Sequence, residues 1–280
     1  MSEVLPPLAI FCGAGALPIE AARAAQARGR RVFLVGFSGS AEREIEAFDH
    51  IWVKLGEVGK FLKAFQEREI VELAMLGAIN RPEFSDLKLD WGAVQRAPGI
   101  ARALRGGDDN LLRAIGRLFE AEGFRFVGLS EFAPELLAPA GPLAGPAPDA
   151  EAQADIDLGA RLLASLSPFD VGQGAVVARG RVLAVEAAEG TDAMLARVAE
   201  LRKSRRIRLD GRVGVFVKAA KRGQDFRFDL PTVGSRTLQA AERAGLAGVA
   251  VAAGQTVVAE REALIAAAQR AKLFVVGFAP

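Results

Sequence analysis

Short apolar runs alternate with amphipathic stretches through the first half of the chain. The runs are rich in β-branched and aromatic residues, which predicts buried strands, whereas apolar residues spaced three and four apart predict helices. The predicted strands are residues 8–11, 31–37, 71–76 and 124–129 with one more near His50, and the predicted helices are residues 20–28, 58–66 and one that begins near Asp108. The alternation predicts an α/β domain with about five strands.

The second half starts a new series of strands and helices after a tract with five prolines between residues 134 and 148. Because proline fixes φ and lacks an N–H donor, we predict that this tract has no regular element. The predicted organisation is a first domain at 1–135, a proline-rich linker at 136–150 and a second α/β domain at 151–280. The predicted elements of the second domain are helix 151–163, a hairpin of strands 175–178 and 182–186, a helix ending at Leu201, strand 213–217, helix 236–244, strand 248–252, helix 261–271 and strand 273–276.

Composition excludes several classes of site. The 280 residues carry a net charge of +2, too mild to indicate a nucleic-acid partner, and no apolar run has the ~18 residues of a membrane span. We therefore expect a cytoplasmic protein. Its one cysteine, Cys12, excludes an internal disulfide, and its one histidine, His50, excludes a histidine-rich zinc site. Hydrolytic chemistry would depend on carboxylates, lysines, arginines and a hard metal ion.

The segment from Lys218 to Gly234 mixes cations and carboxylates around two glycines, after a predicted strand. The alternation of charged and apolar residues would place Asp225, Arg227 and Asp229 on one side of an extended segment. Cations offset the charge of phosphate groups, and carboxylates hold a metal ion or orient water. A solvated loop crossed by salt bridges is the alternative interpretation.

Three loops of the first half are candidates for ligand contact. Gly13-Ala14-Gly15 lies between a strand and a helix, where backbone N–H groups can meet a phosphate. An NAD site is disfavoured, because Pro18 replaces the third glycine of the dinucleotide motif and strand 31–37 is not followed by an acid for the ribose. Asn80 follows strand 71–76. Asp108 and Asp109 either cap a helix or contact the ligand or its metal ion.

Two stretches of the second half each allow two interpretations. Glu186, Glu189 and Asp192 surround Gly190, which suits a magnesium site with oxygen ligands, whereas Thr191 or Asp192 could instead cap the following helix. Residues 202–212 contain six arginines or lysines. This basic stretch is either a solvated loop or a contact for anionic lipid headgroups.

Along its whole length the chain resembles the UDP-2,3-diacylglucosamine pyrophosphatases of the LpxI type, from lipid A biosynthesis in Gram-negative bacteria. The motifs that carry the resemblance are Gly13-Ala-Gly-Ala-Leu-Pro18, Gly107-Asp-Asp-Asn-Leu-Leu112, Asp170-Val-Gly-Gln173, Val185-Glu-Ala-Ala-Glu-Gly-Thr-Asp192 and, above all, Lys218 to Gly234. The resemblance implies a Rossmann-like N-terminal domain with a parallel sheet, a C-terminal α/β domain and a ligand cleft between them.

The resemblance also implies a reaction: hydrolysis of the pyrophosphate bond of UDP-2,3-diacylglucosamine to UMP and 2,3-diacylglucosamine 1-phosphate (lipid X), with Mg²⁺ or another divalent cation. It implies a homodimer that acts on a lipid-linked nucleotide sugar, with a contact to the inner membrane surface left open. Its implied catalytic residues are Asp225, Lys218 and Asp192. Asp225, Asp192, Glu186 and Glu189 are the implied metal ligands. The substrate-binding candidates are Gly13, Ala14, Gly15, Asn80, Asp108, Asp109, Gln173, Gly190, Thr191, Lys221, Gln224, Arg227 and Thr232.

The competing hypothesis is a non-catalytic protein that binds a nucleotide sugar or lipid with the same loop. The mixture of lysines with carboxylates favours the hydrolase. A pure binder gains nothing from a carboxylate beside phosphates unless a metal ion bridges them.

Overall fold

The computed structural model describes residues 5–78 and 108–280, except for the side chains of residues 108–112. The chain forms two units, one of Met1–Pro134 with Asp225–Asp229, and one of Glu135–Gln224 with Leu230–Pro280. Five residues of the Lys218–Gly234 segment therefore belong to the first unit. Among the helices of these described ranges, none is both long enough and apolar enough to cross a membrane.

A parallel sheet forms the centre of the first unit. Its strands are β1 Leu8–Cys12, β2 Val32–Phe37, β3 Asp49–Val53, β4 Glu72–Leu76 and β5 Arg125–Phe126. They lie in the order β3-β2-β1-β4-β5, and each neighbouring pair is parallel. This is the strand order of a Rossmann-like sheet, whose direction of winding reverses between β1 and β4. The predicted Rossmann-like parallel sheet of the N-terminal domain is confirmed.

Apolar helix faces cover the sheet of the first unit. The helices are α1 Leu17–Ala27, α2 Val58–Glu67, α3 Asp108–Glu120 and the short α4 Leu129–Phe132. Phe119 of α3 lies 6.2 Å from the ring of Phe11 in β1 and 6.1 Å from that of Phe126 in β5. The predicted strand 124–129 is too long, because Glu131 accepts a hydrogen bond from the Gly128 amide and the chain turns into α4.

The second unit contains a mixed sheet and a small parallel pair. Strands β6 Gly141–Ala144, β7 Gly174–Ala178, β8 Arg181–Val185, β9 Val215–Lys218, β11 Gly248–Ala252 and β13 Phe274–Phe278 form the sheet, and β10 Thr232–Val233 pairs with β12 Val257–Val258. The sheet order is β6-β13-β11-β9-β7-β8. Its helices are α5 Ala150–Leu166, α6 Gly190–Lys203, α7 Ser235–Arg243 and α8 Arg261–Ala271.

The proline-rich tract is more regular than predicted. Its residues 141–144 form β6, which pairs antiparallel with β13 at the edge of the sheet. Pro142 is tolerated there because an edge strand needs N–H donors on one side only. The tract is therefore a part of the second sheet rather than a linker without regular structure.

The predicted hairpin at Arg179-Gly180 is present and is anchored by a buried acid. Asp155 of α5 is 1 % exposed, and its two carboxylate oxygens accept hydrogen bonds from the Arg179 amide at 2.9 Å and the Gly180 amide at 2.7 Å. Arg179 has φ +52°, so the side chain of Asp155 satisfies N–H groups in a turn that the backbone alone would hold poorly.

We expect Asp155→Ala to lower the free energy of unfolding by about 2–3 kcal/mol, because two turn amides lose a charged acceptor. Chemical denaturation of the full chain measures this change. Asp157→Ala on the same helix is the control, since Asp157 is exposed and its loss should change stability by less than about 0.5 kcal/mol. Equal effects of the two substitutions would refute the anchoring role of Asp155.

Candidate functional site

Residues 225–229 form a tight turn rather than the predicted extended segment. The amides of Phe228 and Asp229 both donate to the carbonyl of Asp225, at 3.1 and 3.2 Å. Asp225, Arg227 and Asp229 therefore do not share one side of a strand. The alternation of charged and apolar residues was misleading here, because it arises from two phenylalanines, one of which anchors the turn.

The carboxylate of Asp225 lies in the fork of the Arg227 guanidinium. Arg227 donates from Nε to Oδ1 at 2.9 Å and from Nη2 to Oδ2 at 2.7 Å, and its amide donates to Oδ1 at 3.1 Å. These side-chain hydrogen bonds lower the pKa of Asp225, although partial burial opposes the shift. Asp225 is therefore ionised at neutral pH and is a weak proton acceptor.

The turn is fixed to the first unit by two contacts. Arg227 Nη1 donates to Glu120 Oε1 of α3 at 2.6 Å. The ring of Phe228 lies 4.9 Å from that of Phe126, and a Cβ at Gly116 would approach Phe228 to 2.5 Å. The roles of Glu120 and Gly116 were not predicted, because more than a hundred residues separate them from the turn. Glu120 and Asp225 share one arginine, so the three side chains carry a net charge of −1.

In the second unit, the end of β9 brings three predicted site residues together. Lys218 is the last residue of β9 and is 8 % exposed. Its Nζ donates to Thr191 Oγ1 at 2.9 Å, and that hydroxyl donates to Glu186 Oε1 at 2.9 Å. Because Thr191 has one hydroxyl proton and gives it to Glu186, its lone pair is directed at the ammonium group.

Glu186 is packed from both sides by glycines. A Cβ at Gly172 would come within 2.6 Å of Glu186 Cγ, and one at Gly174 within 2.6 Å of Oε2. Oε2 is buried and accepts no hydrogen bond from the described residues. The Gly172-Gln173 motif therefore serves to admit the Glu186 side chain beside Lys218 and Thr191.

The predicted helix cap at Thr191 or Asp192 is wrong. Helix α6 begins at Gly190, Glu189 is its N-cap residue, and no side-chain cap is formed. Thr191 instead uses its hydroxyl for Glu186 and Lys218, while Asp192 is exposed in the first turn. Gly190 has φ +77°, the left-handed conformation that lets the chain enter the helix here.

The metal ligands predicted from the resemblance are divided between the two units. Within residues 5–78 and 108–280, no group of three histidine, cysteine or acidic side chains is arranged to hold a metal ion. Glu189 Oε2 accepts from the Ala187 amide at 3.1 Å, and its Oε1 pairs with Arg197 at 2.9 Å. Asp225 belongs to the first unit, whereas Glu186, Glu189 and Asp192 belong to the second.

Two glutamines order the loop after β9. Gln224 Oε1 accepts from Gln173 Nε2 at 3.0 Å and from the Lys221 amide at 2.9 Å. Lys221 Nζ pairs with Asp170 Oδ1 at 2.5 Å. The predicted residues Gln173, Lys221 and Gln224 are thus brought together with Lys218 at one end of the sheet, since Gln173 O also accepts from the Ala219 amide.

The amides of the glycine loop in the first unit already have acceptors. Gly13 N donates to Leu76 O, Ala14 N to Ala78 O, and Gly15 N to Glu42 Oε1 at 3.2 Å. A Cβ at Gly13 would meet Ala78 O at 2.5 Å, so this glycine allows two backbone segments to approach. A phosphate contact at Gly13–Gly15 stays a prediction, and it would have to displace the exposed Glu42 carboxylate from Gly15.

The remaining predicted residues are more isolated. Thr232 is exposed in β10, and its hydroxyl bonds to Leu230 O at 3.3 Å. Asn80 lies outside the described residues, and of Asp108 and Asp109 only the backbone is described, at the start of α3. Substrate contact by any of these residues stays a prediction.

The single histidine and the single cysteine take structural positions. His50 Nδ1 lies 2.9 Å from the Phe48 carbonyl at the start of β3. Cys12 is buried in β1, and burial raises the pKa of its thiol to about 12. A thiol that stays protonated at neutral pH is a poor nucleophile, so Cys12 is not a candidate catalytic residue.

Two family models match almost the entire chain. Residues 7–136 match the LpxI N-terminal domain, and residues 139–276 match the LpxI C-terminal domain. The chain belongs to the LpxI family. It is 42 % identical over 273 residues to the UDP-2,3-diacylglucosamine pyrophosphatase LpxI of Caulobacter vibrioides, and the match covers 98 % of each protein.

The similarities of this chain to solved structures are weaker. A UDP-glucose 4-epimerase from Thermus thermophilus in complex with NAD is 16 % identical, with a TM-score of 0.30 over 95 % of this chain and 83 % of that chain. A UDP-glucose-4-epimerase from Stenotrophomonas maltophila is 14 % identical, with a TM-score of 0.25 over 40 % of this chain and 33 % of that chain. TM-scores this low support no conclusion about the chain.

We expect Arg227→Met to destabilise the protein by about 1 kcal/mol at pH 7, since both partners of the ion pair are partly exposed. The lowered pKa of Asp225 contributes stability that is fully present above the ordinary aspartate range. That contribution disappears as the pH falls through the pKa of Asp225 in the folded state. The difference between wild type and variant should therefore shrink below about pH 4.

Unfolding free energies measured from about pH 3 to pH 7 test this expectation. Arg117→Met is the control, because Arg117 is exposed on α3, the helix that carries Glu120. A destabilisation by Arg227→Met that is constant across this range would contradict the assigned ion pair.

Proposed function

We propose that this chain hydrolyses the pyrophosphate bond of UDP-2,3-diacylglucosamine and releases UMP and 2,3-diacylglucosamine 1-phosphate. The named activity of the Caulobacter relative, at 42 % identity over 98 % of the chain, supports the substrate. The single observation of the structure that carries the proposal is the buried ammonium group of Lys218, held in place by Thr191 and Glu186. The proposed place of the reaction is lipid A biosynthesis.

Lys218 is suited to stabilise charge on a pyrophosphate. A pyrophosphate resists attack by water because its own negative charge repels the nucleophile, and cleavage moves further charge onto the leaving phosphate. A lysine with 8 % exposure lies in a medium of low polarity, where its attraction to a phosphate oxygen is stronger than in water. Thr191 fixes the direction of the ammonium group, so little reorganisation is needed during the reaction.

Lys221 and Gln224 extend the same site. Lys221 is paired with Asp170, and its amide is held by Gln224. A phosphate group that approaches Lys221 would compete with Asp170 for the ammonium group. We propose that the loop of Lys221 and Gln224 binds phosphate or sugar oxygens, while Lys218 stabilises the developing charge.

Asp225 is better suited to hold a cation than to accept a proton. Its pKa is lowered by Arg227, so the carboxylate is ionised and weakly basic. Arg227 divides its guanidinium between Asp225 and Glu120, and the charge of Arg113 also favours the ionised form of Asp225. We therefore propose Asp225 as the essential acid, in the role of a metal ligand.

Mg²⁺ fits this donor chemistry. It is usually held by one or two carboxylates together with waters and substrate phosphates, so a cluster of three acids is not required. We propose that Asp225 supplies one such carboxylate in the first unit, and Asp192 stays a candidate ligand in the second unit. When bound, the cation would offset phosphate charge and polarise a phosphorus–oxygen bond. Glu189, engaged by Arg197, and Glu186, engaged by Thr191, are better assigned to positioning.

The cytoplasmic location, the homodimer and the contact with the inner membrane belong to the same proposal. They are supported by the membership of the LpxI family together with the lipid-linked substrate. The competing function, binding of a nucleotide sugar or lipid without cleavage, would use the same lysines but would not depend on an ionised Asp225.

Asp225→Asn should lower the turnover of UDP-2,3-diacylglucosamine by about 100-fold or more, because the amide is neutral and is a poorer cation ligand. The release of UMP by the purified protein measures this change. Asp229→Asn is the matched control in the same turn, since Asp229 is exposed. EDTA should abolish the activity of wild-type protein, and added Mg²⁺ should restore it.

Absence of UMP release from wild-type protein, with retained binding of the substrate, would replace the hydrolase by the competing binder. Wild-type rates for Asp225→Asn would remove Asp225 from the mechanism, and full activity in EDTA would remove the cation.

Thr191→Val should lower kcat about tenfold or more while changing KM little, because the valine cannot accept a hydrogen bond from Lys218 and the ammonium group loses its fixed direction. Thr191→Ser keeps the hydroxyl and should restore most of kcat. Steady-state kinetics with both variants measure the effect. Equal losses in the valine and serine variants would indicate that Thr191 acts through packing alone.

A further inference from the structure

Phe169 is the most exposed large apolar side chain among the described residues. It is 75 % exposed, compared with 47 % for Val71, 45 % for Leu5 and 38 % for Val182. It lies in a short 3-10 turn, Ser167–Phe169, between α5 and β7. A phenylalanine so exposed contributes little apolar burial to the folded core.

The turn that presents Phe169 is tied to the loop after β9. The Arg222 amide donates to Ser167 Oγ at 2.5 Å, and Lys221 Nζ pairs with Asp170 Oδ1 at 2.5 Å. Asp170 has φ +53°, which turns the chain sharply after Phe169. Phe169 is therefore held at the same end of the second sheet as Lys218, whose strand is in register with Gly174 of β7.

The charges beside Phe169 leave an excess cation. Lys221 neutralises Asp170 through their ion pair, and Arg222 is exposed next to the pair in the chain. An exposed phenylalanine ring with an arginine beside it in the chain suits the surface of an anionic bilayer, where the ring inserts at the boundary of headgroups and acyl chains and the arginine meets anionic phosphates.

The strongly basic loop of residues 203–212 is the other surface that could meet anionic lipid. Its exposed cations are Lys203, Arg205, Arg206, Arg208 and Arg212. However, α6 begins beside Thr191 and ends at this loop, and its 14 residues span about 21 Å. A membrane held at the basic loop would lie roughly that far from the Lys218–Thr191 pair. The Phe169 turn lies at the end of the sheet where lipid must arrive.

We propose that Phe169, with Arg222, docks the second unit onto the surface of an anionic phospholipid bilayer and brings the Lys218 end of the sheet to its lipid substrate. The inference deepens the proposed function and rests on it for the substrate class. The docking itself needs no substrate, so it can be measured separately from hydrolysis.

Cosedimentation of the full chain with vesicles tests the proposal. Vesicles of phosphatidylethanolamine with phosphatidylglycerol should bind wild-type protein, and vesicles of phosphatidylcholine alone should bind it less. Phe169→Ser should weaken binding to the anionic vesicles about tenfold. Phe169→Trp should keep binding and should show a blue shift of its added fluorescence when vesicles are present. Val182→Ser is the control for an exposed apolar residue at the far end of the sheet, and it should bind as wild type.

Three results would overturn the proposal. Wild-type vesicle binding by Phe169→Ser would do so, as would loss of binding in Arg205→Gln/Arg206→Gln instead. Dissociation of a dimer by Phe169→Ser, measured by light scattering without vesicles, would assign the ring to a subunit interface. Intact docking in a protein that releases no UMP would count against the proposed hydrolysis and leave the docking surface standing.

Discussion

The cost of burying one ammonium group constrains the second unit of this protein. A lysine removed from water loses several kcal/mol of solvation unless polar partners replace it. The Thr191 hydroxyl partly replaces that solvation for Lys218, and the carboxylate of Glu186 lies behind the hydroxyl. Much of the local sequence follows from this need. The glycines at 172 and 174 leave room for Glu186, and Thr191 in the first turn of α6 uses its hydroxyl for Lys218 and Glu186.

The first unit holds its acid by a different principle. Asp225 pairs with the guanidinium of Arg227, which stays protonated in proteins, and this ion pair stabilises the carboxylate form of Asp225. A carboxylate with a lowered pKa is a weaker base, and it stays ionised over a wider range of pH. Because Glu120 draws on the same guanidinium, the arginine does not neutralise the group. The lowered pKa of Asp225 therefore fits the proposed role as a cation ligand better than the role of a base, although spacing in the sequence allowed either.

The sequence predicted what depends on neighbours along the chain. Apolar periodicity located the strands and helices to within a few residues, and the family motifs led to the residues that cluster around Lys218. Sequence-based prediction failed where contacts between residues far apart in the chain determine the backbone conformation. The alternation of Phe226 and Phe228 with charged residues predicts a strand. Phe228 instead packs on Phe126 and against Gly116, and the backbone forms a turn. Pro142 suggested a linker, but pairing with β13 makes its segment an edge strand.

The glycine loop at residues 13–15 is a second place where a distant contact decides the role of a motif. Gly13 lies between a strand and a helix, which is also where phosphate-binding glycines lie. The local sequence therefore does not show whether the space beside Gly13 is for a phosphate or for another backbone segment. The nearest neighbour of Gly13 in space is the carbonyl of Ala78, which follows β4, the strand beside β1 where the winding of the sheet reverses. A glycine that allows two backbones to touch and a glycine that admits a ligand meet the same steric condition. Only the identity of the neighbouring atom separates them, and here that atom belongs to the chain itself.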